Sequence, residues 1–286
     1  MAILDGKGFS KELRVTIKEK AELFYDKFGR KVGLAVVIIG EDPASQIYVN
    51  NKIKATEECF IKSFSVRLPE TVSQEEAELE VKNLANNPEV DGIIVQLPLP
   101  KKFDASKILA HIPAEKDVDG LCSLNLGKLF KGEQTLASCT PYGIIKLLKR
   151  YNVEFSGKNA VVIGRSNMVG KPIAALLLHE NCTVTVCHSK TNDIKSFSKN
   201  ADILVVAIGK SRFVTGDMVK DGAVVVDVGM NREDGKLYGD VDFESVSKKA
   251  SLITPVPGGV GPMTVTMLMY NTVVAGFRSQ GEDELS

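Results

Sequence analysis

The residues that could do chemistry in this chain are a few polar side chains set at the ends of apolar runs. Tyr48 and Lys52 stand four apart in a stretch that reads as helix, so they share one face a turn apart. A lysine beside an aromatic ring in a cleft loses solvation and proton affinity, which makes it a usable proton carrier. The same spacing also suits a half-buried surface pair. Lys54, two residues further on, points elsewhere and reads as surface. Gln96 closes the apolar run that begins at Gly92, and the carboxyl end of a strand is where open α/β sheets hold ligands. A glutamine there also suits capping of the loop that follows. Asp117-Val118-Asp119-Gly120 puts two carboxylates in one loop. One suits the turn. The other suits a charge-assisted bond to an amino-bearing heterocycle. No third or fourth oxygen ligand stands near them, so the pair does not read as a metal site.

A second group of residues points to a phosphate. The strand 160–163 runs into Gly164-Arg165-Ser166-Asn167-Met168-Val169-Gly170-Lys171-Pro172 and then an apolar helix. Strand, small-residue turn and helix is the context in which backbone N–H groups and the helix dipole receive a dinucleotide pyrophosphate. Ser166 stands where the G-x-G-x-x-G pattern has its second glycine, and a tight turn of any doubly wound sheet would look similar. The next strand ends in Cys187-His188-Ser189-Lys190, with no Asp or Glu for a ribose 2′-hydroxyl. A hydroxyl, a cation and Arg165 are what a 2′-phosphate wants, so the pattern favours NADP over NAD. A solvated loop carries the same residues. Thr254-Pro255-Val256-Pro257-Gly258-Gly259-Val260-Gly261-Pro262-Met263-Thr264 is a rigid glycine-rich loop that permits close approach of a flat ligand. It equally suits a crossover with awkward dihedrals.

Two frameworks are needed to position these residues. Residues 4–28 read as an amphipathic helix, 34–39 as a buried strand, 61–68 as a strand, 73–85 as a helix and 92–96 as a strand. Asp42-Pro43 reads as the start of the helix that carries Lys52. Leu97-Pro98-Leu99-Pro100 cannot continue a central strand, and a loop-rich stretch follows to Cys139. A helix from Pro141 to Tyr151 leads to a second alternation, with strands at 159–163, 183–187, 203–207 and 223–228 and near Ile253, a helix at 169–179, and a last helix at 263–277. The chain is therefore predicted to be two α/β domains with a cleft between them, the second a Rossmann-like doubly wound parallel sheet. The predicted boundaries are 1–139 plus the C-terminal helix 264–286 for the first domain and 140–263 for the second.

Composition excludes several classes. Of the 286 residues, 44% are apolar and 25% charged, as in ordinary globular proteins. Thirty-six basic residues balance thirty-six acidic ones, which argues against binding to nucleic acid or an acidic membrane surface. The apolar runs 33–40 and 201–209 are strand-length, and none approaches a membrane span. The first thirty residues hold no signal-peptide core. Five cysteines without a C-x-x-C pair suit a reducing cytoplasm, and three scattered histidines suggest no metal site.

In chain order, Tyr48-Val49-x-x-Lys52-x-Lys54, the decapeptide Asp91 to Pro100, Lys116-Asp117-Val118-Asp119-Gly120, Cys139-Thr140-Pro141-x-Gly143, Gly164-Arg165-Ser166-x-x-Val169-Gly170-x-Pro172 and Pro255 to Thr264 closely resemble the bifunctional methylenetetrahydrofolate dehydrogenase/methenyltetrahydrofolate cyclohydrolase family, over nearly the whole chain. The resemblance implies that the first domain binds a tetrahydrofolate derivative and the second binds NADP, in a homodimer joined through the nucleotide domain. Hydride transfer from the methylene carbon to nicotinamide would be followed by hydrolysis of the methenyl cation to 10-formyltetrahydrofolate. By the same resemblance Lys52 is the proton-handling lysine and Gln96 holds and tunes it. Tyr48 stacks on the folate, and Asp119 grips the pterin. Leu97, Pro98, Gly259 and Pro262 complete the substrate residues. Gly164, Arg165, Ser166, Val169, Gly170, His188, Ser189, Lys190 and Val228 are the cofactor residues, with Arg165 and Ser189 on the 2′-phosphate. Two positions depart from the family pattern: Phe60 stands where Gly usually follows the catalytic helix, and Ser138 stands where Pro commonly precedes Cys-Thr-Pro.

Overall fold

The computed structural model describes residues 1–41 and 43–282, apart from the side chains of residues 43–48. The chain begins β1 (Ala2–Ile3), α1 (Gly6–Phe28), β2 (Gly33–Ile39), α2 (Pro43–Glu58), β3 (Lys62–Leu68), α3 (Gln74–Asn86) and β4 (Gly92–Val95). It continues α4 (Ala105–Leu109), α5 (Ser123–Lys131), α6 (Cys139–Arg150), β5 (Asn159–Ile163), α7 (Gly170–His179), β6 (Thr183–Cys187), α8 (Ile194–Ser198) and β7 (Ile203–Val206). It ends β8 (Val224–Asp227), β9 (Asn231–Glu233), β10 (Lys236–Tyr238), α9 (Phe243–Ser247), β11 (Leu252–Ile253) and α10 (Val260–Ser279). The chain divides into two compact units.

One unit comprises Glu12–Lys128, Gln134–Cys139 and Val265–Ser286. Its sheet is parallel in the order β3-β2-β4. All seven residues of β2 are buried, which is why that strand is a continuous apolar run rather than an alternating one. Asp117 extends the sheet by a parallel bridge to Ile93 on the free side of β4. Helix α3 starts at a capping box, in which the Ser73 hydroxyl accepts from the Glu76 N–H and the Glu76 carboxylate accepts from the Ser73 N–H. It buries Ala77, Val81 and Leu84, spaced at i, i+4 and i+7, into the cluster that holds Val37, Ile39, Ile93 and Val95. Because the strands are parallel, the residues after β2, β4 and the bridge at 117 all emerge at the carboxyl edge of this sheet.

The other unit comprises Met1–Lys11, Leu129–Glu133 and Thr140–Thr264. Its six strands are parallel in the order β1-β11-β8-β7-β5-β6. From β5 the chain moves outward to β6 and then returns to β7 on the other side, so the strand order reverses between β5 and β7. That reversal is the point at which doubly wound sheets bind nucleotides.

Several elements differ from the sequence-based reading. Ala2 and Ile3 pair with Leu252 and Ile253, so the first residues complete the six-stranded sheet rather than the first α/β unit. A two-residue strand has no periodicity to read. The stretch 101–138 holds α4 and α5, of five and nine residues. Asp234 and Gly235, both at positive φ, turn the unpredicted β9/β10 hairpin. Helix α10 is longer than expected and, by length and composition alone, apolar enough to cross a membrane. Its most apolar stretch is 72% buried inside the protein, as in the core helix of a globular protein.

Candidate active site

Lys52 lies on the inward face of α2, three residues after buried Val49 and three and four before buried Ala55 and Thr56. That placement carries its ammonium group toward the carboxyl edge of the three-stranded sheet. Its Nζ donates to Gln96 Oε1 at 2.8 Å. Gln96 Nε2 donates in turn to the Leu97 carbonyl at 2.6 Å, and the Gln96 N–H donates to Val37 O at 2.8 Å. Gln96 thus caps its own loop and holds the amine with the same side chain. Burial pushes the Lys52 pKa below the ordinary lysine range, against the opposing pull of Asp119 and Cys139. The Asp119 pKa is raised, chiefly by burial, with Lys52 acting against the shift. Cys139 is held well above the usual thiol range, again chiefly by burial.

The loop that carries Asp119 is fixed by its neighbour. Asp117 Oδ2 accepts from the Cys122 N–H at 2.8 Å and from Asn125 Nδ2 at 3.0 Å, so Asp117 is the turn-making carboxylate. Asp119 is left to face the lysine. Gly120 has φ +68°, and a Cβ there would meet the backbone of residues 136–138 at 2.6 Å. Beside this loop is a cavity of about 290 Å³, lined among others by Ile94, Val95, Leu97, Leu121 and Asp119. The Leu97–Pro98 peptide is cis. Tyr48 lies on α2, and its side chain is outside the described residues.

Gly259 and Pro262 belong to the other unit. Gly259 is buried, and its carbonyl oxygen would lie 1.8 Å from any Cβ placed on Gly6.

The cofactor residues named from the sequence gather at the carboxyl edge of the six-stranded sheet. Gly164 follows β5 at φ +129°, and a Cβ there would lie 2.3 Å from the Ala207 carbonyl at the end of β7. A Cβ on Gly170 would lie 2.3 Å from the Gly164 carbonyl. Only glycine permits both approaches, and together they make a tight backbone cradle at the strand-order reversal. Ser166 Oγ accepts from the N–H groups of Val169 and Gly170 at 3.1 and 3.3 Å, so serine at the second glycine position supports the start of α7. Arg165 is exposed beside it. The loop after β6 is closed by the His188 N–H on Thr191 Oγ1 and by the Lys190 N–H on His188 Nδ1, leaving Ser189 and Lys190 exposed. Val228 follows β8, and its N–H donates to Val206 O at 2.9 Å. A glycine cradle at a helix N-terminus, an exposed arginine and no carboxylate at the end of β6 fit a phosphorylated dinucleotide.

Sequence reasoning missed three residues that shape these sites. Cys139 was visible only as part of a motif. Asp240 lies in a hairpin region without periodicity. Asn271 could have been found, since a lone asparagine inside an otherwise apolar helix signals a buried hydrogen-bonding duty. Among the described residues, no group of three or more His, Cys, Asp or Glu gathers as metal ligands would.

Residues 4–119 match the catalytic domain of the tetrahydrofolate dehydrogenase/cyclohydrolase family, and residues 138–280 match its NAD(P)-binding domain. The chain is 52% identical to the bifunctional protein FolD of Chloroherpeton thalassium, over 96% of this chain and 97% of the relative. It is similar to the crystal structure of the bifunctional FolD dehydrogenase/cyclohydrolase from Campylobacter jejuni, with a TM-score of 0.94, 48% identity, and 96% and 98% of the two chains covered. It is also similar to the Trypanosoma brucei methylenetetrahydrofolate dehydrogenase-cyclohydrolase complexed with NADP and an inhibitor, with a TM-score of 0.93, 40% identity, and 98% of each chain covered. The chain belongs to the tetrahydrofolate dehydrogenase/cyclohydrolase family.

Proposed function

We propose that Lys52, held by Gln96 and faced by Asp119, moves the protons of the hydrolytic half of a two-step folate reaction. The chain is a bifunctional enzyme that oxidises 5,10-methylenetetrahydrofolate with NADP and hydrolyses the methenyl product to 10-formyltetrahydrofolate. The observation that carries the assignment is the 2.8 Å bond from Lys52 Nζ to Gln96 Oε1, on an amine whose pKa burial has lowered.

Bound NADP accepts the hydride. The chain's contribution to that step is alignment, because loss of hydride leaves a delocalised methenyl cation that needs no acid. Hydrolysis does need proton transfer. Water adds to the methenyl carbon while a proton passes to the neutral Lys52 amine. The bond from that carbon to N5 then breaks as N5 takes up a proton and the carbinol hydroxyl releases its own to solvent, leaving the formyl group on N10. An amine with lowered proton affinity serves both directions. Gln96 keeps it in place, and Asp119 is available to grip the amino and ring nitrogens of the pterin. Tyr48 stacks on the folate, while Leu97, Pro98, Gly259 and Pro262 shape its surroundings. Gly164, Ser166, Val169 and Gly170 form the pyrophosphate cradle. Arg165 and Ser189, with His188 and Lys190 nearby, hold the 2′-phosphate, and Val228 borders the cofactor.

The protein works as a homodimer in a reducing cytoplasm. Five unpaired thiols support the compartment, and the open outer edge of β6 leaves room for a partner.

The test follows NADPH and methenyl absorbance together after 5,10-methylenetetrahydrofolate and NADP are added. NADPH should form without lasting methenyl accumulation. Lys52→Met should abolish hydrolysis of added methenyltetrahydrofolate, and hydrolysis at the parent rate removes Lys52 from this role.

A further inference from the structure

Asn271 lies in the apolar stretch of α10 and is 2% exposed. Its Nδ2 donates to the Val118 carbonyl at 2.8 Å and to the Ala137 carbonyl at 2.9 Å, and lies 3.6 Å from Cys139 Sγ. One amide therefore ties the segment just before Asp119 to the segment just before Cys139. Two further bonds join the same segments: Ser138 Oγ donates to Gly120 O at 2.9 Å, and Cys139 Sγ donates to Val118 O at 3.2 Å. The backbones approach so closely that only glycine fits at position 120. Asp119 and Cys139, the two titratable groups that face Lys52 among the described residues, are thus set by one clamp; Asp117 stands behind Asp119.

We infer that Asn271, aided by Ser138, is a positioning residue of the hydrolytic step: it locks the 118–120 and 137–139 segments together and so keeps the Asp119 carboxylate within electrostatic reach of the Lys52 amine. This rests on Lys52 being the proton carrier. A buried asparagine with both amide protons donated to carbonyls is otherwise an expensive choice for a core helix, where an apolar residue of similar volume would pack. Ser138 makes the same kind of link through its hydroxyl, so the clamp gains a further side-chain bond.

The consequence has a direction. Asp119 raises the proton affinity of Lys52, so a loosened clamp leaves a buried amine with less opposing charge. The experiment uses the full-length enzyme with Asn271→Ala, Ser138→Ala and Lys52→Met. It measures kcat, KM and the pH–rate profile of methenyltetrahydrofolate hydrolysis, with Tm recorded in parallel. Asn271→Ala should lower kcat on the order of tenfold to a hundredfold, the usual effect of a sub-ångström to ångström misplacement. The acid limb of its profile should move to lower pH. Ser138→Ala should move the limb the same way by less, and it decides the matter if Asn271→Ala fails to fold. Profiles that superimpose on the parent's, whatever the Tm, overturn the proposal by reducing the clamp to a structural role. A limb moved to higher pH overturns it as well, because the amine then gained water rather than lost its carboxylate. Full hydrolysis by Lys52→Met would instead defeat the underlying assignment of the lysine.

Discussion

Phe60 occupies a backbone position with φ +60°, where a side chain ordinarily costs about 1 kcal/mol. It ends α2 in a Schellman arrangement: the Phe60 N–H donates to Glu57 O and the Ile61 N–H to Thr56 O. Glycine would adopt this left-handed turn without strain, and phenylalanine occupies it here. The ring packs edge-on against Tyr25 at 5.8 Å, and the Lys31 ammonium lies 3.7 Å from its centroid. Ring contacts of this kind contribute about 0.5–1.5 kcal/mol, enough to offset the strain. Phe60→Ala keeps the strain and loses the ring, so Phe60→Gly should be the more stable of the two by about 1 kcal/mol. Urea unfolding of both variants checks this, and an alanine variant as stable as the glycine one would mean that the turn is not held left-handed. At this scale the sequence was informative where spacing carried meaning. Lys52 and Gln96 could be placed, and Phe60 and Ser138 could be flagged as departures. What made those departures tolerable, a ring contact and a hydroxyl bond to Gly120, depends on residues far away in the chain and could not be read.

The loops at the carboxyl edge of the six-stranded sheet are organised by two buried carboxylates. Asp240 accepts from the N–H groups of Ile208, Gly209 and Lys210 and from Asn231 Nδ2, so an internal anion fills a backbone nest next to the dinucleotide cradle. Asp227 accepts from the N–H groups of Gly229, Asp240 and Val241. Burial nevertheless pushes its pKa up to about 6, above the ordinary 3.8, with Asp240 adding to the rise. The native state therefore binds more protons than the unfolded chain between about pH 4 and 6, and this group's contribution to stability falls as pH rises through that window. The shift corresponds to about 3 kcal/mol at most. The deficit of Asp227→Asn relative to the parent should be larger near pH 4 than near pH 7. Urea midpoints at the two pH values measure it, and a constant deficit would show that Asp227 does not titrate there. The elements themselves were legible wherever apolar runs were continuous, as in β2, β5 and β7. The short pieces that seat these carboxylates have no repeat to recognise and are held by tertiary hydrogen bonds.

At the scale of the whole chain, neither unit is a contiguous stretch of sequence. The chain passes between them after Lys11, Lys128, Glu133, Cys139 and Thr264. Ala2 and Ile3 pair with residues some 250 positions away, a partnership that composition and periodicity, which describe neighbours in sequence, do not reveal. The physical stake is measurable. The Ala2 N–H donates to Ser251 O and the Leu4 N–H to Ile253 O, while Leu4 is fully buried and Ile3 packs on the core of the six-stranded sheet. Burying Leu4 contributes about 2 kcal/mol, and each backbone bond about 1 kcal/mol more. Deleting Met1–Leu4 should therefore lower the stability of the nucleotide-binding unit by about 3–5 kcal/mol. Because β11 would become the edge strand, the loss should extend to the Gly258–Gly259 turn that follows it. Urea unfolding monitored by circular dichroism, with and without NADP, reads both effects. An unchanged midpoint would mean that the first four residues only decorate the sheet. A lowered midpoint that saturating NADP largely restores would show that the sheet keeps its nucleotide edge without its outermost strand.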